Sequence, residues 1–123
     1  MNAPARRDAV GALLRQHGWV LVEGGTALAT KVYSTAVGPK EAQVYLSRGR
    51  DDDPNQTLSG QYYSEGRNIM AVGVLLPKEA AAADVERLVG QFAREADAAV
   101  DASYARAIWL RAQREAAGLP RRA

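Results

Sequence analysis

The residues best suited to chemistry in this sequence are a run of carboxylates, one histidine, and several tyrosines interleaved with basic side chains. Asp51-Asp52-Asp53-Pro54-Asn55 opens like the D-x-D-x-N of a calcium loop. Counted from Asp51, the sixth position needs a turn-forming glycine and holds Gln56. The twelfth needs a bidentate glutamate and holds Tyr62, and Pro54 interrupts the run. The segment therefore reads as a solvated acidic loop, and no metal or other cofactor is expected. His17 is the only histidine and there are no cysteines. Multi-histidine and thiolate metal sites, cysteine nucleophiles and disulfides are thereby excluded. A lone histidine near a helix C-terminus is accounted for by its interaction with the helix dipole. No G-x-S-x-G elbow, P-loop or Rossmann glycine pattern occurs, and Gly24-Gly25 is not followed by the helix that phosphate binding requires. Glu65, Asp51 and Asp53 have the chemistry of an acid and base pair, but nothing in their spacing holds them together. An enzyme of unknown type is accordingly the last-ranked reading, with no catalytic residue assigned.

The tyrosines offer a different chemistry. If the strand registers align, Lys31, Tyr33, Gln43, Tyr45, Gln61 and Tyr63 share one sheet face. With Arg48, Arg50 and Arg67 they would stack and neutralise single-stranded nucleic acid. Tyrosine also favours strands on its own account. The pI of about 9.1 encourages this reading, but the charge is unevenly placed. Setting aside Arg6, Arg7, Arg121 and Arg122 leaves 12 basic residues against 14 acidic ones. The body is near neutral, so nucleic-acid binding is the alternative and not the leading reading. The stretch from Ser59 to Asn68 is the most distinctive polar one, although Glu65-Gly66 would serve a hairpin turn regardless.

These side chains need elements to position them. Val10, Leu13, Leu14 and His17 follow i, i+3, i+4, i+7 spacing and predict a short helix over Arg6 to His17, ended by Gly18. Trp19 to Glu23 reads as a strand, Gly24-Gly25 as a hairpin turn, and Thr26 to Val37 as a second strand broken by Gly38-Pro39. Glu41 to Arg48 is the third strand. Gly49 to Asn55 is an exposed loop, and Gln56 to Ser64 and Asn68 to Leu76 are the last two strands. From about Glu79 to Ala117 the chain is proline-free and alanine-rich. A stripe through Val85, Leu88, Val89, Phe92, Ala96, Ala99, Val100, Ser103 and Ala107 predicts one long helix, or two with a bend, with Gly90 hosting the bend or a close contact. Gly118 and Pro120 end it.

The expected fold is α+β: a short N-terminal helix, a five-stranded antiparallel β-meander and a long C-terminal helix, both helices on one sheet face. Residues 1–123 form one domain of ordinary size and composition, with residues 1–5 and 118–123 as flexible tails. No apolar h-region interrupts the first twenty residues. The longest apolar run, Ile69 to Leu76, is far below the ~20 residues of a membrane helix. A cytoplasmic protein is expected.

Within the last strand, Ile69, Ala71, Gly73 and Leu75 are expected to face the helices, their small members allowing close approach. Met70, Val72, Val74 and Leu76 would then form a second apolar face needing cover. The long helix adds to this surplus. About 36 residues span roughly 54 Å, against ~20 Å for a six-residue strand, so its distal part must overhang. That part carries Tyr104, Ile108, Trp109 and Leu110 among Arg106, Arg111 and Arg114. The leading expectation is a non-enzymatic protein-binding module of adaptor, chaperone or inhibitor type. It would act, as a homodimer, through Met70, Val72, Val74, Tyr104, Ile108 and Trp109.

Overall fold

The computed structural model describes residues 3–35, 38–48, 55–64 and 67–118. Its first helix, α1 (Ala3–Gln16), turns Val10 and Leu14 into the core, where both are fully buried. Gly18, at φ 88°, closes it in a Schellman arrangement: Trp19 N donates to Leu14 O at 3.1 Å and Gly18 N to Arg15 O at 3.2 Å. The helix begins at Ala3, within the stretch expected as a tail. Arg6 is 5% exposed and its guanidinium donates to the carbonyls of Lys78 at 2.9 Å and Leu76 at 3.5 Å, fastening the start of α1 to the opposite edge of the sheet.

The strands are β1 (Val20–Leu21), β2 (Ala29–Thr35), β3 (Gly38–Arg48), β4 (Gln56–Gln61), β5 (Tyr63–Ser64), β6 (Arg67–Asn68) and β7 (Val72–Leu76). The main sheet has the order β1-β2-β3-β4-β7, every neighbour antiparallel, and β5 pairs with β6 in a small separate hairpin. This is the expected five-stranded meander, with the hairpin inserted before its last strand. Gly24 and Gly25 take φ 77° and 78° between β1 and β2, as a tight reversal requires. Gly38-Pro39 opens β3 instead of breaking a strand. The pairing of β3 with β4 reaches only to Gln43, so Pro39 has β2 alone beside it and removes no second ladder bond. The acidic loop and the Glu65-Gly66 turn lie outside the described residues.

Asn68 anchors the small hairpin. Its Oδ1 accepts from Tyr62 N at 3.1 Å and Ala71 N at 3.2 Å, and its Nδ2 donates to Gly60 O at 3.4 Å. Ala71 takes φ 38°, a left-handed conformation that a residue with a Cβ adopts only when its surroundings compel it. The chain re-enters the sheet at Val72, so the expected strand from Asn68 is shorter than its composition suggests.

The second helix, α2 (Ala82–Ala116), is continuous through Gly90 and so does not divide at a bend. It packs on the same sheet face as α1. Val85, Val89, Phe92, Ala93, Ala96 and Val100 are its buried side. All of these but Ala93 meet Val10, Leu14, Trp19, Ala29, Val44, Leu58, Val74 and Leu76 in the core cluster. Trp19 lies edge-on to Tyr33, centroids 6.4 Å apart, and 6.1 Å from Phe92.

The inward face of β7 is the reverse of the one expected. Val74 and Leu76 are buried with Met70, and Val72 packs against the cluster, whereas Leu75 is 53% exposed and Gly73 is on the outer face. Burial of the set with four large side chains outweighs the closer approach that Ala71 and Gly73 would permit, since each large apolar side chain contributes about 1.5–3 kcal/mol. The close approach is supplied instead by Gly60 on β4. A Cβ there would meet the Met70 sulfur and come within 3.1 Å of the Phe92 ring.

Candidate functional site

The surface that remains after the core is assembled is the distal half of α2. The helix is held to the sheet as far as Val100, and no residue from 101 to 116 is buried. At 1.5 Å per residue this leaves roughly 24 Å of helix beyond the last core contact. Tyr104 is 43% exposed, Ile108 42%, Trp109 59% and Leu110 42%. This is the largest group of exposed apolar side chains on α2.

What fixes the direction of the overhang is a polar clamp where α2 leaves the sheet. The Tyr33 hydroxyl donates to Asp97 Oδ1 at 2.7 Å, and Lys31 Nζ bonds the same oxygen at 3.0 Å. Lys31 Nζ also donates to the His17 carbonyl at 3.1 Å, so one ammonium ties β2, α2 and the C-terminus of α1 together. Burial foremost, then the hydrogen bond to the Asp97 carboxylate and the nearby charges of Asp97 and Asp101, hold the Tyr33 phenol far above the ordinary tyrosine range. It stays protonated, as a donor to a carboxylate must.

The candidate partner-binding residues therefore divide. Tyr104, Ile108 and Trp109 lie together on the exposed overhang. Met70 and Val74, 2% and 7% exposed, belong to the core and offer nothing to a partner, and Val72 is half-buried against it. These three lie on the inward face of the sheet, in or against the core cluster beneath α2, and not on an open face.

The tyrosines separate as well. Tyr33 and Lys31 face inward, under α2. Tyr45 pairs with Ser59 and points outward, its hydroxyl donating to Gln43 Oε1 at 2.8 Å. Tyr63 is 59% exposed on the small hairpin. Registers Tyr33↔Lys40 and Tyr45↔Ser59 put the first two on opposite faces, so no single stacking platform forms. Arg50 and the side chain of Arg67 lie outside the described residues.

The uncovered outer face carries mostly Thr30, Gln43, Tyr45, Thr57, Ser59 and Gln61, with Val20, Val32 and Leu75 as isolated apolar positions. Among the described residues, no three of histidine, aspartate or glutamate come together to hold a metal, and no helix is long and apolar enough to cross a membrane. Arg6 entered the sequence reading only as terminal charge and Asn68 only as part of the polar Ser59 to Asn68 stretch, and Asp97 did not enter it. Of these, only Arg6 carried a signal, as a basic residue at i−4 from the buried Val10. The chain matches no family model, no curated protein and no solved structure.

Proposed function

We propose that this chain is a small non-enzymatic docking protein that binds protein through the distal half of α2 and acts as a homodimer. The observation that supports the reading is the overhang itself, in which Tyr104, Ile108, Trp109 and Leu110 stay exposed on a helix clamped to point away from the core. Interface anchors are enriched in tryptophan and tyrosine, which give large contact areas at little conformational cost. The cysteine-free composition suits a reducing compartment, and the cytoplasm is the setting we assign.

Light scattering over a concentration series tests the reading. The expected mass is twice 13.2 kDa, and Trp109→Glu with Ile108→Glu returns the monomer mass with an unchanged far-UV circular dichroism spectrum, because neither residue is buried in the core. A wild-type chain that stays monomeric at every concentration contradicts it.

A further inference from the structure

We infer that the occupant of the overhang is a second copy of this chain, lying antiparallel, with Trp109 of each packed against Ala98 of the other. This rests on the docking reading above and adds its partner and geometry. The large exposed side chains come first. Trp109 lies on the side of α2 turned away from the sheet, about half a turn round from the buried Val100. On that side Ala98, Ala102, Ala105, Trp109, Ala112 and Ala116 recur at alternating spacings of four and three, all of them exposed. That is the spacing of a seam between two helices.

The one bulky member decides the direction. In a parallel pair Trp109 meets its own copy and holds apart helices whose other layers are alanine. In an antiparallel pair with Ala102 opposite Ala105, Trp109 falls opposite Ala98 at both ends, so the one bulky side chain always faces a small one and alanine faces alanine between. Ile108, beside the seam, closes over the same contact.

Charge favours the same arrangement. Residues 91–102 of α2 carry Arg94, Glu95, Asp97 and Asp101, a net −2, and residues 105–116 carry Arg106, Arg111, Arg114 and Glu115, a net +2. These two stretches overlie each other in the antiparallel register. In a parallel pair each stretch overlies its own kind.

The absence of native cysteine allows a direct test. Chains carrying Ala102→Cys and Ala105→Cys are prepared separately, mixed and mildly oxidised. Disulfide between the two variants, several-fold above that of either alone, is the expected result. Efficient disulfide within Ala102→Cys alone means a parallel pair and overturns the inference while leaving the docking role of Trp109 in place. A dimer by light scattering with neither disulfide also overturns it, since the contact then lies elsewhere. A monomer with no disulfide removes both this inference and the reading beneath it. Trp109→Ala should in addition weaken self-association on the order of 30-fold or more, because it removes the one large side chain from both ends of the contact.

Discussion

Gly60 lies where β4 passes beneath Phe92 and Met70, with no room for a methyl group. Gly60→Ala is expected to destabilise by about 1–3 kcal/mol, the usual penalty for overpacking, in urea unfolding followed by Trp19 fluorescence. Tyr33 is the other residue whose loss has a defined signature. Tyr33→Phe removes a hydrogen bond to a carboxylate and leaves Asp97 with Lys31 alone, a loss of about 1.5–3 kcal/mol near neutral pH. The sign of the pH effect follows from the raised phenol. A tyrosine that ionises less readily when folded contributes stability that is complete below the unfolded value of about 10 and is lost as pH rises beyond it. Stability should therefore fall above about pH 10 in the wild type and fall less in Tyr33→Phe, as read by unfolding curves between pH 8 and 11.

At the scale of elements, α2 carries two avoidable weaknesses. Its N-cap, Ala81, has the extended backbone of a capping residue (φ −70°, ψ 161°) but no side chain to bond the first free N–H groups. Ala81→Ser should stabilise by ~1 kcal/mol. Gly90 is the second. The nearest atoms to a Cβ there are the flexible end of Arg94 at 3.3 Å and His17 Nε2 at 3.9 Å, so Gly90→Ala gains helix propensity of up to ~1 kcal/mol once Arg94 swings aside. Chemical denaturation reads both changes. The elements themselves were legible because Gly18, Gly24-Gly25, Pro77 and Gly118 punctuate the chain where the backbone has to turn or stop. A hairpin about Glu65-Gly66 was expected, but its separation from the main sheet was not legible, because Tyr63, Asn68 and Ile69 have the composition of a strand and only the Asn68 bonds and the strained Ala71 take the chain out of the sheet. Nor was the facing of β7. Both of its faces are apolar, so alternation cannot choose between them, and the choice falls to the volume available beneath Phe92.

For the whole molecule, the overhang was legible from length alone, since a helix of that extent cannot lie wholly on a sheet of short strands. The core-facing role of Met70 and Val74 was not, which is why a surplus of apolar surface placed on two regions resolves onto one. The sheet's outer face is left to polar side chains, and the clamp of Tyr33, Lys31 and Asp97 spends its chemistry on aiming α2. The exposed apolar bulk of α2 is thereby concentrated at Tyr104, Ile108, Trp109 and Leu110. Trp109 reports on this directly once Trp19, which is 2% exposed, is replaced by phenylalanine. Dilution of Trp19→Phe should expose the remaining indole, with red-shifted emission and strong quenching by acrylamide. Raising the concentration should shift the emission to the blue and suppress quenching as a second copy covers it. An indole equally exposed and equally quenched at every concentration would contradict the account.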